Sequence, residues 1–520
     1  MNLTVIALML LGAYWIVITL LDKVGMLERH DISRRYDIVL MIRTKRGHKL
    51  LDKLSRPRKF WRFFASTGIA IMLAGLLLIF TIIWYLDYVV AVHALRYPLL
   101  LRGMFSLDFL HIWAYLGLIV AMVAHSYAHA ILARVEGVRV KATSLLFALV
   151  PLGISSELSL DKVATLSKIR ILAGGVMANF MIALIAFTLF FAVLSAMSPI
   201  GNVMVTDVMN GSAADHAGIK REMIITQLND VKIENAHGIY AFIHSVRYGD
   251  TITIHVVDGK NERTFDVRAS RAKGLEIVDV LEGYPAADAG IRAGMRIVKI
   301  NVMPATTVDL FMKSMNATYP GQNISVHVIA DGVERVFNVT LAEPPHEFMG
   351  KGWLGVTVMS KPLEVLGIEI EEYPASSTLH FLQTMPTMLN RPMGWIALIT
   401  LPFMGLTGPR FDGFTGLLIQ FYQPAGWALP LGNGIFWIAN SLFWIGYISF
   451  CVGALNCLPV APLDGKYVFR DIALSGAGLI TKDEERRERM SNAAVHALAL
   501  LLFASIVFLF IAPYLVHLHR

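Results

Sequence analysis

The stretch Ala124-His-Ser-Tyr-Ala-His-Ala130 lies inside a segment, 109–133, that contains no Asp, Glu, Lys or Arg. Its two histidines, His125 and His129, are four residues apart, so a helix places both imidazoles on one face. That spacing lets two imidazoles bind one metal ion. A hydrogen-bonded pair in a helix core is the alternative, because the chain has sixteen histidines and the spacing also arises by chance. The apolar surroundings favour a metal site, since ionisable groups inside a membrane helix are costly and usually functional.

Uncharged segments recur along the chain. Of 520 residues, 55% are hydrophobic and 16% are charged, whereas about a quarter of the residues of a soluble domain are charged. A helix of about 20 residues crosses a bilayer. The apolar segment at the N-terminus has neither the basic region nor the cleavage site of a removed signal peptide, so we expect it to be a transmembrane helix. We therefore expect an α-helical polytopic membrane protein with about six to eight transmembrane segments. The clearest predicted helices span 3–21, 64–86, 109–133, 171–197, 435–458 and 491–513.

The net charge of +7 is concentrated in one segment. Residues 22–62 contain thirteen Lys or Arg against five Asp or Glu, between two apolar spans. This excess is typical of a cytoplasmic loop beside anionic lipid. It therefore predicts contact with the lipid bilayer and no nucleic-acid partner. The two cysteines, Cys451 and Cys457, offer neither a disulfide framework nor a cysteine zinc site.

Between about residues 200 and 345 the composition changes to short β-rich runs separated by Gly, Asn and Asp. This insert repeats itself. The stretch Gly211-Ser-Ala-Ala-Asp-His-Ala-Gly-Ile219 aligns with Gly283-Tyr-Pro-Ala-Ala-Asp-Ala-Gly-Ile291. With the same offset along the chain, Asn229 aligns with Asn301, and Met223 with Met295. Two small α/β domains of one fold, in tandem, are the simplest account.

A second candidate ligand lies far from the histidines in sequence. In Asn456-Cys-Leu-Pro-Val-Ala-Pro-Leu-Asp-Gly465, two prolines end a long apolar helix. Asp464 is the first acid after fifty-one uncharged residues. Two histidines and one aspartate would leave a fourth zinc position open, as catalytic zinc sites require. The alternative is an interfacial aspartate that caps the next helix.

These motifs together resemble the site-2 protease family, intramembrane zinc metalloproteases of peptidase family M50. The family pattern is HExxH on one membrane helix and N-x-x-P-x-x-x-x-D-G on a later one. The second motif is intact from Asn456 to Gly465. The tract Ala173-Gly-Gly-Val-Met-Ala-Asn179 is similar to the family's G-P-x-x-N tract, with Gly175 at the proline position. The tandem repeat resembles PDZ domains, and Gly274-Leu-Glu-Ile-Val-Asp-Val280 opens its closer match.

The resemblance implies the roles of particular residues. It implies one Zn²⁺ ion bound by His125, His129 and Asp464. It places Asn179 and Asn456 near the substrate, where an amide can hold a peptide carbonyl or an oxyanion. In the second PDZ-like domain it implies substrate binding at Gly274 and Leu275. PDZ-like domains typically take peptide C-termini or extended segments as an added strand.

Ser126 occupies the position of the family's catalytic glutamate. A serine cannot act as a base near neutral pH without an activator of its own. Three explanations stay open: a natural pseudoprotease that binds transmembrane or PDZ ligands without cutting, a protease whose glutamate was replaced, or a substitute base. Glu157, in the loop predicted after the histidine helix, is the nearest candidate for that base.

The resemblance therefore predicts a hydrolase that acts in regulated intramembrane proteolysis. It would cleave transmembrane segments of membrane proteins already trimmed by another protease. The zinc site is expected near the cytoplasmic face of the cell membrane, and the PDZ-like domains outside the cytoplasm. The predicted domains are N-terminal helices with the basic loop (1–108), core helices with HxxxH (109–198), two PDZ-like domains (200–271 and 272–345), a linker with a broken apolar or re-entrant region (346–432), and core helices with the Asp-Gly segment (433–520).

Overall fold

A computed structural model gives the structure of the protein. It describes residues 3–29, 32–35, 38–44, 48–93, 112–148, 150–158, 163–259, 261–270, 274–330, 333–344, 350–359, 362–402 and 411–518. Internal contacts divide the chain into two units. The membrane unit comprises Met1–Ala196, Phe381–Thr415 and Gly426–Arg520, and the β unit comprises Met197–His380 and Gly416–Ala425.

The described residues form helices and strands in the following order along the chain. The helices are α1 (Leu3–Lys23), α2 (Met26–Arg29), α3 (His48–Leu54), α4 (Arg58–His93), α5 (Ile112–Val135), α6 (Thr165–Leu194), α7 (Ala213–Ala217), α8 (Ala236–His244), α9 (Pro285–Asp288), α10 (Val308–Asn316), α11 (Ala375–Met388), α12 (Pro392–Thr400), α13 (Gly434–Asn456), α14 (Asp464–Ala477) and α15 (Glu484–Leu518). The strands are β1 (Ile32–Arg35), β2 (Val39–Thr44), β3 (Val140–Ala148), β4 (Val150–Leu158), β5 (Met197–Pro199), β6 (Val203–Val208), β7 (Ile224–Leu228), β8 (Val231–Lys232), β9 (Thr251–Asp258), β10 (Asn261–Arg268), β11 (Leu275–Val280), β12 (Arg296–Ile300), β13 (Met303–Pro304), β14 (Asn323–Ala330), β15 (Val333–Thr340), β16 (Val356–Met359), β17 (Ile368–Glu372) and β18 (Tyr422–Pro424).

Five helices of the described chain are long and apolar enough to cross a membrane: α4, α5, α6, α13 and α15. Each contains one of the predicted helices or overlaps it closely, which confirms a polytopic helical protein. The predicted first helix corresponds to α1, which is not among the five, and many of its side chains lie outside the described residues. The predicted total of six to eight segments stays a prediction.

Small residues bring the membrane helices together. A Cβ added at Gly117 on α5 would lie 2.5 Å from the carbonyl oxygen of Trp444 on α13. One added at Gly453 on α13 would lie 3.3 Å from Cβ of Asn179 on α6. Membrane helices pack by such close backbone approach, because lipid supplies no hydrophobic drive between them. The contacts place α5, α6 and α13 side by side.

A four-stranded sheet, of order β1-β2-β3-β4, was not predicted. Strands β1 and β2 come from the basic segment that the sequence indicated as a loop. Strand β2 pairs with β3, from Leu40 opposite Phe147 to Thr44 opposite Thr143. Because these partners lie far apart along the chain, periodicity within the basic segment does not reveal them.

The sequence repeat corresponds to two sheets of the same order in the β unit. The first β domain has the order β10-β9-β7-β6-β17, and the second β domain has the order β15-β14-β12-β11-β16. Asn229 and Asn301 both have positive φ, 48° and 51°. Each side chain accepts a backbone N–H at 2.8 Å, from Thr253 and from Ser325 respectively. The two aligned asparagines therefore form the same type of turn, once in each β domain.

The two β domains are nested along the chain. Strand β17 pairs with β6 of the first β domain, although the whole second β domain lies between them in sequence. Strand β16 pairs with β11 of the second β domain. Both sheets thus include a strand from beyond residue 345, in the region that the sequence assigned to a linker. Each is the terminal strand of its sheet.

The region 392–432 contains α12, two short 3-10 helices and β18. The segment 403–410 lies outside the described residues. No helix in the described part of 392–432 is long enough to cross a membrane. The predicted re-entrant segment or helical hairpin stays a prediction.

Replacing Gly117 by alanine should destabilise the membrane unit, because the new Cβ would meet the backbone of Trp444. We expect a loss of about 1–3 kcal/mol, measured as a lower midpoint of thermal unfolding of the purified protein in detergent. Gly476→Ala is the matched control, because a Cβ at this position on α14 meets nothing within 4 Å. Equal midpoints for the two variants would contradict the packing argument.

Candidate metal centre

Three side chains of the membrane unit converge on one point. His125 Nε2 and His129 Nε2, both on α5, each lie 3.1 Å from Asp464 Oδ2. The two imidazole nitrogens are 2.9 Å apart. Of the described His, Cys, Asp and Glu residues, these form the group of three that could hold a metal ion. The structure thus brings together the two histidines and the aspartate that the sequence selected from distant parts of the chain.

Asp464 is positioned by the break between α13 and α14. It is the first residue of α14, and its backbone N–H donates to Asn456 Oδ1 at the end of α13 (3.4 Å). A Cβ at Gly465 would lie 2.3 Å from the carbonyl oxygen of Leu458. The start of α14 therefore packs directly on the backbone at the end of α13, which explains the glycine of the Asp-Gly pair.

Burial alone would raise the pKa of the Asp464 carboxyl group. The positive charge that His129 carries when protonated outweighs that effect and holds the pKa below its usual range. The group is therefore a carboxylate, the form in which it can bind a metal.

Each histidine ring has a polar partner at Nδ1, the nitrogen that does not face Asp464. His129 Nδ1 donates to the carbonyl oxygen of Ile171 on α6 at 2.8 Å, so that in the neutral ring, the form that binds a metal, an unprotonated Nε2 is directed at Asp464. Asn179 Nδ2 lies 3.2 Å from His125 Nδ1, and Asn179 Oδ1 has no hydrogen-bond partner among the described residues. With its oxygen and nitrogen exchanged by a flip of the amide, Asn179 accepts from Nδ1–H and frees Nε2 of His125 as well. Such partners fix the tautomer of metal-binding histidines.

The two amides expected near the substrate contact candidate ligands, and their role in substrate binding stays a prediction. Asn179 is fully buried against His125. Asn456 donates to Val452 O (3.0 Å) and accepts from the backbone of Asp464. In this structure they position the site residues.

Gly175 leaves room for the two rings. An added Cβ would lie 2.5 Å from His129 Nε2 and 2.8 Å from His125 Cε1. From the sequence, Gly175 was noted only as a glycine at the position where the family tract has proline. The structure shows that a bare helix face of α6 lies directly against the imidazoles.

The first turns of α6 also hold the helices that carry the ligands. Glu136, just beyond α5, accepts from Ser167 (2.7 Å) and from Arg62 (3.0 Å). Lys168 pairs with Asp471 of α14 at 3.0 Å, and the Asp471 side chain is 5% exposed. Breaking a buried pair by removing one partner is strongly destabilising. Sequence analysis did not identify these residues, because their partners lie on other elements.

The three ligand atoms suit zinc. Zinc bonds to nitrogen and oxygen of about 2.0–2.1 Å in a tetrahedral site separate ligand atoms by about 3.3 Å. The separations here are 2.9, 3.1 and 3.1 Å. Two imidazoles and a carboxylate form a three-ligand set that leaves a fourth position for water or substrate.

Ser126 follows His125 on α5 and is 5% exposed. It brings no carboxylate to the site. Glu157, the candidate substitute base, lies in strand β4 and not in a loop as expected, because its backbone pairs with Ala142 of β3. Its side chain lies outside the described residues, so its role stays a prediction.

In the β unit, Gly274 and Leu275 lie at the start of β11. The Leu275 side chain is fully buried in the domain core, and its backbone pairs with Ile297. An apolar groove of about 290 Å³ lies elsewhere, between α10 and β16. The sequence has a further short repeat that the sequence analysis did not use: Leu354-Gly355-Val356 aligns with Leu366-Gly367-Ile368, twelve residues later. This repeat is a sequence signal for the segment beside the groove.

The family model of peptidase family M50 matches residues 113–504, three quarters of the chain. The chain belongs to peptidase family M50. This match includes both histidines and Asp464, and it identifies the chain at family level as a site-2-type intramembrane metalloprotease. As zinc is the metal of M50 peptidases, the fit of the three ligands agrees with the family.

A search of solved structures found the PDZ domain of the SdrC-like protein from Listeria monocytogenes. It is 18% identical, with a TM-score of 0.16, over 18% of this M50 chain and 94% of that chain. We draw no conclusion from this likeness, because its TM-score is low. A search of the curated proteins found no match.

Asn179→Ala should weaken zinc binding about 10- to 100-fold, because a positioning partner of His125 is lost. The measurement is a competition titration of the purified protein with a chromophoric zinc chelator. Asn440→Ala is the matched control: it removes another buried amide of the membrane unit, one that bonds to the backbone of Phe414. Asn440 lies sixteen residues before Asn456 on α13, about 24 Å along the helix. Equal zinc affinity in both variants would contradict the assigned role.

Proposed function

We propose that this protein is an intramembrane zinc metalloprotease that cleaves transmembrane segments of pre-trimmed membrane proteins in regulated intramembrane proteolysis. The observation that carries the proposal is the convergence of His125, His129 and Asp464 within 4.8 Å. Membership of peptidase family M50 supports the reaction class.

The residues of the chain have distinct tasks in this proposal. Zinc, when bound by the three ligands, would polarise a peptide carbonyl and acidify a water molecule. Ile171 O and Asn179 hold the imidazoles in the orientation that binding needs. Asn456 and Gly465 hold the carboxylate of Asp464 at the end of α13. Apolar helices around the site would limit access of bulk water, which strengthens electrostatic interactions inside it.

Ser126 favours a second candidate function. Hydrolysis of a peptide bond needs a group that takes a proton from water and passes it to the leaving amine. The hydroxyl of Ser126 does not supply this group. The chain would then be a pseudoprotease that retains the zinc site and binds transmembrane segments or peptides without cutting them.

The distribution of charge supports a location in the cell membrane. Segments 22–62 and 466–490 are rich in Lys and Arg, and we place both on the cytoplasmic side. The zinc site then lies near the cytoplasmic face, because Asp464 immediately precedes the second segment. The β domains are proposed to lie outside the cytoplasm, where they would bind peptide segments of substrates.

Ser126→Glu should raise the rate of cleavage of a single-span model substrate about 10²- to 10⁴-fold, because it restores a general base. The measurement is cleavage by purified protein in detergent after its bound zinc has been determined. Ser126→Gln is the matched control, since it has the size of glutamate without its charge.

Each alternative has its own outcome. Absence of bound zinc at saturating metal would overturn the metal site. Zinc binding without cleavage by the unaltered chain would support the pseudoprotease. Cleavage by the unaltered chain that is lost in Glu157→Gln would identify Glu157 as the substitute base.

A further inference from the structure

The hairpin between β12 and β13 presents an apolar side chain at its tip. Ile300 pairs with Met303, so Asn301 and Val302 form the turn, and Val302 is 84% exposed. The turn is fixed from within the domain. The backbone N–H of Asn301 donates to the carbonyl oxygen of Ser325 at 2.7 Å, and its side chain accepts from Ser325 N at 2.8 Å. Val302 therefore cannot withdraw from solvent without loss of these hydrogen bonds.

Two further apolar side chains extend the tip into a continuous surface. Met303 is 46% exposed, and Leu310 on α10 is 38% exposed. Ser314 connects them, because its hydroxyl lies 3.9 Å from Met303 Sδ and donates to the carbonyl oxygen of Leu310 at 2.9 Å. Leu310 and Ser314 are four residues apart and share one face of the helix. We call Val302, Met303 and Leu310 the tip patch.

Two lysines border the tip patch. Lys299 on β12 lies directly opposite Pro304 in the hairpin, so both side chains lie on one side of it. Lys313 is exposed and follows Leu310 by three residues on α10. The acid of α10, Asp309, lies in the first turn, where the helix dipole offsets its charge. Apolar side chains bordered by lysines are typical of a surface that enters the interface of a bilayer.

The first β domain provides an internal comparison, because it has the same fold without these features. With the offset of the sequence repeat, the aligned pairs are Val302 with Asp230, Leu310 with Gly238, Lys299 with Gln227 and Lys313 with Ala241. The hairpin tip of the first domain thus carries a charge, and neither lysine position has a cation. The fold itself therefore does not require the tip patch.

The size and charge of the tip patch favour a lipid surface as its partner. Three partly exposed side chains offer on the order of 300 Å², whereas a stable protein interface needs about 800 Å² from each partner. A bilayer needs less contact, because the chain already holds the domain near it: β5 begins three residues after the membrane helix α6 ends. The lysines add attraction to anionic headgroups.

We propose that the tip patch, with Lys299 and Lys313, docks the second β domain on the surface of an anionic lipid bilayer. The apolar side chains enter the layer between headgroups and acyl chains. The ammonium groups of the lysines stay at the level of the headgroup phosphates. This inference goes beyond the proposed function, and it depends neither on zinc nor on proteolysis.

The experiment places one fluorophore at the hairpin tip of each β domain in turn. Full-length Val302→Cys and Asp230→Cys are labelled with an NBD maleimide and reconstituted into nanodiscs of phosphatidylcholine and phosphatidylglycerol, about 3:1. The signal of the native cysteines, measured in the unaltered chain, is subtracted. Nitroxide-labelled lipid should quench the label at 302 at least about threefold more strongly than the label at 230, because the aligned tip stays in water. Nanodiscs expose both faces of the bilayer, so the result does not depend on the side on which the β domains lie.

A polar substitution within the tip patch tests its apolar contact. In the chain labelled at 302, Leu310→Gln should reduce quenching at least about twofold, since burial of its amide in the bilayer is unfavourable. Tyr319→Gln is the matched control and should leave quenching unchanged. Tyr319 is 62% exposed and lies beyond the other end of α10.

The lysines are tested by charge removal on either side of the contact. Lys299→Gln combined with Lys313→Gln should reduce quenching of the label at 302 at least about twofold in discs that contain phosphatidylglycerol. Discs of phosphatidylcholine alone should reduce quenching of the unsubstituted labelled chain by a similar factor.

Equal quenching at 302 and 230 would overturn the docking of the second β domain. Quenching at 302 that is the same with and without phosphatidylglycerol would overturn the role of the lysines. Shielding of the label at 302 from iodide in detergent, increasing with protein concentration, would show that two copies associate through the tip patch and would overturn lipid as its partner.

Discussion

Close approach of the backbones of α5, α6 and α13 is the constraint on which the membrane unit depends. Each pair of these helices meets at a glycine: Gly117 for α5 and α13, Gly175 for α5 and α6, and Gly453 for α6 and α13. Inside a bilayer, helices gain little from hydrophobic burial against each other, so shape and polar contacts decide their packing. The same approach brings two histidines and an aspartate from remote parts of the chain within contact distance.

The polar residues near this contact form a supporting structure for the ligands. Ile171 O and Asn179 hold the imidazoles, while Asn456 and Gly465 hold the start of α14. The chain has this support although Ser126 brings no carboxylate to the site. Different residues position the ligands and transfer the proton, so a chain can lack the proton-transfer group and still position its ligands.

The β unit shows how a duplicated domain can diverge at one position. Nesting places the edge strands of both β domains after residue 345, next to each other in sequence. In one domain the preceding residue is an apolar Leu363 that packs inward, and in the other it is Lys351 beside an apolar groove. Gly367 and Gly355, which precede the two edge strands, have nearly the same φ, 80° and 81°. The two β domains therefore differ in the side chain that precedes the edge strand.

The sequence by itself determined the membrane-spanning class, the paired histidines and the tandem repeat, because hydropathy, helical spacing and duplication are visible along the chain. Asp464 was joined to the histidines through the resemblance to a family pattern. Periodicity could not identify the four-stranded sheet or the nesting of the β domains, since both depend on strands paired across long stretches of chain. Only the tertiary structure decided that Asn179 and Asn456 face the candidate ligands, that Gly175 leaves room for the imidazoles, and that an apolar groove lies at β16. Each of these depends on which backbone atoms of another element lie within a few ångströms, and side-chain type alone does not encode that distance.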